Sequence, residues 1–263
     1  MFSWIYAYPT WAMGCLFAFG SMGISLAGML LVRPLFHKWI HGQDKTNEMV
    51  SLNIASFSVF YGILLGLVAV GVYADYASTQ DIVEREAATL SALYSDTGAL
   101  PEPHRTKLLG DLRDYAKETI EKDWPTQAKG LVPTGGTERV AAYQRDLGAV
   151  HPGDNKAESI AYAEASGQFE KLVELRSNRL ARVVSGLPTL FWSVLLIGAA
   201  FSIGIIWMLD MEIHVHGILT AVLSAFLGIV IFLIADMDKP FRGDVLVGSD
   251  AYELVYNSLM KAR

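Results

Sequence analysis

The run NIASFSVFYGILLGLVAVGVY, Asn53 to Tyr73, holds 21 residues without one Asp, Glu, Lys or Arg. At about 1.5 Å rise per residue, such a helix crosses the roughly 30 Å of hydrocarbon in a bilayer. Three more windows share its character, at 12–32, 188–209 and 217–235. They dominate a chain of 263 residues that is 52% hydrophobic and 18% charged, where soluble domains carry about 25% charge. Four transmembrane helices are predicted, lodged among membrane lipid. Residues 1–11 contain no Lys or Arg, and the first apolar run exceeds a signal-peptide core, so it reads as a retained span.

The spans group two and two. Between them lies a polar insertion with helical periodicity: Ile82, Val83, Ala87, Leu90 and Leu93 continue the second span into water. Leu100-Pro101-Glu102-Pro103 breaks this helix and starts another, whose face is Leu108, Leu109, Leu112, Tyr115, Ala116 and Ile120 and whose expected end is Trp124-Pro125. TQAKGLVPTGG at 126–136 and GAVHPGD at 148–154 read as loops, with a short helix about Glu138–Arg145 between them. A long helix from Asn155 to Arg182 leads into the third span near Pro188. The fold class is therefore all-α: four membrane spans with a helical soluble extension between the second and third. The expected division is 1–74 (spans one and two), 75–187 (the extension) and 188–263 (spans three and four with the C-terminal segment).

Four spans put both termini and the insertion on one side. Arg85, Arg176, Arg179, Arg182, Lys239 and Arg242 lie near span ends on that side, against Arg33, Lys38 and Lys45 on the other. The excess of cations predicts that the termini and 75–187 are cytoplasmic. The net charge of −6 gives no reason to expect nucleic acid as a partner. The single cysteine, Cys15, excludes an internal disulfide and a cysteine metal site.

No ionisable residue sits within a span, which argues against a proton-coupled transporter. Pores, scaffolds and structural subunits remain. Within the opening stretch, Asn53, Phe57, Phe60, Tyr61, Leu64 and Val68 fall near one helical stripe. Copies of such a helix around an axis form an apolar constriction, and such constrictions gate by dewetting. Ordinary packing within the bundle or against lipid explains the same residues. Gly62 and Gly66 form a GxxxG that admits a neighbouring helix.

His37 and His41 stand i, i+4 apart, and His214 and His216 lie beside Glu212 and Asp210; interfacial histidines explain both pairs without a metal. Glu84, Arg85 and Glu86 are expected to meet Arg176, Arg179 and Arg182 in ion pairs between the helices that prolong spans two and three. The last span ends in ADMDKPFRG, Ala235 to Gly243. Pro240 stops the helix while Lys239 and Arg242 suit both the membrane edge and the helix dipole. Asp236, Asp238, Asp244, Asp250 and Glu253 would be oxygen ligands for a hard cation, but without an EF-hand spacing. No GxSxG, HExxH, P-loop or GxGxxG is present, so neither a catalytic constellation nor a cofactor is expected.

Three segments carry a family likeness: REAATLSALYSDTGALPEPHRTKLLGDLRDYAKETI (Arg85–Ile120), SNRLARVVSGLPTLFW (Ser177–Trp192) and ADMDKPFRG. With the two-plus-two layout, the chain resembles the bestrophin-like membrane proteins of bacteria and plants, grouped as a domain of unknown function. The resemblance implies a pentameric channel, mainly anion-selective, whose second span lines the pore and whose last span is followed by a Pro-Phe-Gly segment. Pro240, Phe241 and Gly243 match that segment with Arg242 inserted, and Phe57, Tyr61 and Leu64 fall near the implied hydrophobic neck. The dense acidic run that binds Ca²⁺ in the animal members is replaced by Arg242-Gly243-Asp244-Val245. The expected function is thus a homo-oligomeric ion channel of the bacterial plasma membrane that passes an inorganic ion. The other reading is a non-conducting scaffold whose extension binds a protein partner.

Overall fold

The computed structural model describes residues 4–40, 46–152 and 155–261, with the side chains of 35–40 and 46 left out. Among these residues there are helices and no strands. In chain order they are α1 (Thr10–Ile40), α2 (Thr46–Thr97), α3 (His104–Glu118), α4 (Trp124–Ala128), α5 (Gly135–Gly148), α6 (Lys156–Val184), α7 (Thr189–Trp207), α8 (Ile213–Met237) and α9 (Asp250–Val255). Four helical stretches are long and apolar enough to cross a membrane: Thr10–Pro34, Asn47–Thr97, Lys156–Trp207 and Ile213–Met237. The all-α, four-span reading therefore holds. The second of them lies in α2, a single helix of 52 residues from span to polar extension.

Two compact units divide the chain, one comprising residues up to Ala74 with Gly186–Asp238, the other Asp75–Ser185 with Lys239 onward. In the membrane unit, α1 and α8 lie against each other through small residues. Ser21 Oγ donates to the Ser224 carbonyl at 2.7 Å, and a Cβ on Gly228 would strike the Phe17 carbonyl oxygen and Ser21 Oγ. Lipid supplies no hydrophobic drive for two apolar helices to associate, so such close backbone approach is what holds them. Gly228→Ala is expected to lower stability by about 1–3 kcal/mol, the range for overpacking. Gly204→Ala is expected to be neutral, because a Cβ there meets nothing within 4 Å. Thermal unfolding of the two variants in detergent checks this.

Away from that seam, polar side chains tie the loop after α7. Arg33 Nη2 donates to the Met211 carbonyl at 2.8 Å. Asn47 donates through Nδ2 to the Asp210 carbonyl at 2.7 Å and accepts the Asp210 N–H at 2.9 Å. His216, on α8, is buried with Nε2 at 2.9 Å from the Ile206 carbonyl, so it serves packing. His214 is exposed; the side chains of His37 and His41 lie outside the described residues.

The second unit has a core that includes Leu90, Leu93, Leu108, Leu112, Tyr143, Leu172 and Tyr252, each at most 1% exposed. Fully buried leucines contribute roughly 1.5–3 kcal/mol each. The C-terminal segment belongs to this core, because Phe241, Val247, Tyr252 and Met260 are buried in it. The expected helix end at Trp124-Pro125 is corrected. A π turn over Thr119–Asp123 carries the chain into α4, where Pro125 occupies the first turn. Proline has no N–H to give to the residue four positions back, and the wider turn absorbs that missing bond. The loop expected at 126–136 shrinks to 129–134.

On the surface of this unit, Asp111 of α3 faces Asp146 of α5, which binds Lys107 at 2.6 Å. Burial and the neighbouring Asp146 push the Asp111 carboxyl up to about 6 from its usual 3.8. The folded chain therefore keeps a proton that the unfolded chain has already lost between these values, and this contribution to stability falls as pH rises through that window. Asp111→Asn is expected to melt higher than wild type at pH 7.5 and to lose the advantage by pH 4; melting curves at the two pH values check the sign.

Candidate functional site

The polar wall of the insertion is built round the most deeply buried cation of α6. Arg179 of α6 is 0% exposed and holds Glu86 of α2, with Nε to Oε2 at 2.6 Å and Nη2 to Oε1 at 3.3 Å. Its Nη1 donates to Gln127 Oε1 at 2.9 Å, and its guanidinium lies 4.7 Å from the Trp124 ring centroid and 5.9 Å from that of Tyr252. Tyr115 donates to Glu86 Oε1 at 3.2 Å. Burial, and next the Glu86 charge, raise the Tyr115 hydroxyl to about 12. Burial, the largest influence, would lower the Arg179 guanidinium, but the Glu86 carboxylate together with the Tyr252 and Tyr115 hydroxyls more than reverses that. Of the pairings expected from the charge pattern, this is the buried one. Arg182 reaches Asp75 at the surface, Arg85 pairs with Asp81 on its own helix, and Arg176 donates to Thr137.

The segment ADMDKPFRG finds its partners close by. In the membrane unit, Asp238 Oδ1 accepts the Leu187 N–H at 2.6 Å, just ahead of α7. In the second unit, Lys239 Nζ donates to the Ser185 carbonyl at 2.6 Å, where α6 ends and leaves carbonyls unpaired. The Pro240 carbonyl accepts the Val247 N–H at 2.7 Å, and Phe241 is buried edge-on to Trp124 with centroids 6.4 Å apart. Arg242 packs beside Gly130. Gly243 has φ +85°, a left-handed turn that favours glycine. Asp236 is buried at the end of α8. These side chains cap helices and fold a turn. Among the described residues, no group of three His, Cys, Asp or Glu side chains converges as a metal would need.

The second span shows two faces. Tyr61, Leu65, Val68 and Val72 are buried against Trp192, Leu195 and Ala199 of α7. Tyr61 is 5% exposed, donates its hydroxyl to the Leu195 carbonyl at 2.7 Å and lies on Gly198, where a Cβ would strike its ring. Sequence periodicity marks Tyr61 as one of a stripe but does not reveal the glycine that receives it. Phe57 and Leu64 are half-buried at the edge of this contact, and Phe57 stacks on Tyr61.

Well round the helix lies a face that none of the described residues covers. Asn53 and Ser56 open it, followed by Phe60, Ile63, Leu67 and Val70, spaced three and four apart and exposed. Phe60 is 74% exposed and Leu67 68%. Gly62 and Gly66 have nothing within 4 Å of an added Cβ, so among the described residues no helix uses their groove. The six residues expected on one stripe are thus distributed: Asn53 and Phe60 on the free face, Phe57 and Leu64 at the edge, Tyr61 and Val68 packed inside.

Comparison with known proteins gives three findings. A family model described as the bestrophin-like domain matches residues 19–252. Crystal structures of similar fold include a membrane protein at TM-score 0.69 and 10% identity, covering 94% of this chain and 99% of the other. They also include two variants of a bacterial bestrophin homologue from Klebsiella pneumoniae, at TM-scores 0.66 and 0.65 and identities of 10% and 12%, with the same coverage. No curated protein matches the chain.

Proposed function

Because the chain belongs to the bestrophin-like domain family, we propose that several copies assemble about an axis into an ion channel of the membrane. The observation that carries this reading is the uncovered face of α2. A span held to its own subunit by one narrow stripe, with Phe60, Ile63, Leu67 and Val70 turned outward, suits a helix whose other side meets copies of itself. Asn53 and Ser56 offer polar groups at one end, and the apolar residues beyond them form the constriction. Tyr61 and Val68 seat the helix on α7, and Phe57 and Leu64 flank the constriction. The ring holds five copies if it follows the family resemblance, and the permeant species is an inorganic ion, with an anion favoured by the same resemblance. The termini and the extension 75–187 face the cytoplasm of a bacterial cell, in keeping with the cations near these span ends.

Purified protein reconstituted in planar bilayers is expected to show single-channel currents, and the detergent-solubilised particle is expected to be a ring of several subunits. Tyr61→Ala is expected to reduce or destabilise those currents by unseating the helix. A monomer or two-fold dimer, silent across pH, Ca²⁺ and voltage, would instead support a scaffold whose extension binds a protein.

A further inference from the structure

We propose that the second unit carries a binding site for a small organic carboxylate, in a cleft between α2, α3 and the turn that follows α9. The cleft holds about 540 Å³, within the range of small-ligand sites. Its cation is Arg113 of α3. Tyr94 of α2 holds it in place, the phenol oxygen accepting from Nε at 3.0 Å and from Nη2 at 2.7 Å. That grip uses one side of the guanidinium. The end-on pair of N–H groups on Nη1 and Nη2 has no partner among the described residues, and a planar fork of this kind matches a carboxylate.

The remaining walls suit the same ligand. Ser91 and Ser95 stand one turn apart on the α2 side of the cleft, and neither hydroxyl has a hydrogen bond within the described residues. Both are free to donate to the carboxylate oxygens that the fork leaves over. Leu109 and Leu259 supply apolar surface for the body of the ligand. Among the described residues, no Asp or Glu lines the cleft. Asp111, two positions from Arg113, is engaged with Asp146. One cation without a counter-charge selects a single negative charge, which favours a carboxylate over a phosphate monoester. The site stands independently of the channel reading, since binding is measured without conduction.

The test is calorimetric titration of the full-length, detergent-solubilised protein with benzoate, benzyl alcohol and phenyl phosphate. Saturable binding of benzoate, roughly tenfold or more weaker in Arg113→Met and absent for benzyl alcohol, is the expected result. The Ser91→Ala/Ser95→Ala variant leaves the Arg113–Tyr94 contact in place and is expected to weaken benzoate several-fold; it decides the matter if Arg113→Met fails to fold. No benzoate binding, equal binding of the alcohol, or an affinity unchanged in a folded variant would overturn the site. Tighter binding of phenyl phosphate would overturn the carboxylate assignment.

Discussion

Arg179→Met should cost the second unit about 3–5 kcal/mol, the usual penalty for removing one partner of a buried ion pair. The reason lies in what is left behind. Glu86 is fully buried, and without Arg179 its carboxylate retains, among the described residues, the Tyr115 hydroxyl alone, at 3.2 Å. Gln127 Oε1 loses its donor at the same time, and the Trp124 and Tyr252 rings lose the cation they share. Since domains are stable by only about 5–15 kcal/mol, the loss should appear as a marked fall in melting temperature, or as aggregation on size exclusion in detergent. The Glu86→Leu/Arg179→Met variant removes both charges and should recover most of the loss, because a buried pair replaced by well-packed apolar groups is often neutral or stabilising. Wild-type melting of the single variant would show that the Glu86 charge is met by something other than Arg179.

This network also shows where a sequence can be read and where it cannot. The four spans are legible because lipid imposes length and the absence of charge on a single stretch, with no need to know what lies beside it. The helices of the insertion are legible for a related reason: apolar residues three and four apart must share a face. Pairing is another matter. The charge pattern brings Glu86 and Arg179 into one group with Arg85, Arg176 and Arg182, yet nothing local says which cation is enclosed. The choice is made by Trp124, Gln127 and Tyr252, which are remote in sequence. Tyr61 is similar: its placement depends on Gly198, 137 positions on, and a glycine in a span has many uses. The π turn before Trp124 escaped because Pro125 reads as a stop when only α-helical geometry is considered. In ADMDKPFRG, by contrast, the helix end at Pro240 follows from proline chemistry alone, while the capping of Leu187 by Asp238 and of Ser185 by Lys239 requires the fold.

Serine at Ile63 and Leu67 together should raise single-channel conductance about tenfold, equivalent to a barrier lower by about 1.4 kcal/mol. Both side chains lie on the uncovered face of α2, exposed at 56% and 68%, so the exchange disturbs little packing within the subunit. If this face lines an axis, an apolar ring that excludes water is the main obstacle to an ion, and hydroxyls there let water and ion enter together. Serine at Val68, which is buried, should behave oppositely: it leaves the axis untouched and loosens the seat on α7, so conductance per channel stays while stability falls. Comparison of the two separates a pore effect from a packing effect in the same helix. Unchanged conductance in the Ile63→Ser/Leu67→Ser channel, with the subunit ring intact, would move the constriction off this face and leave the exposed stripe to lipid.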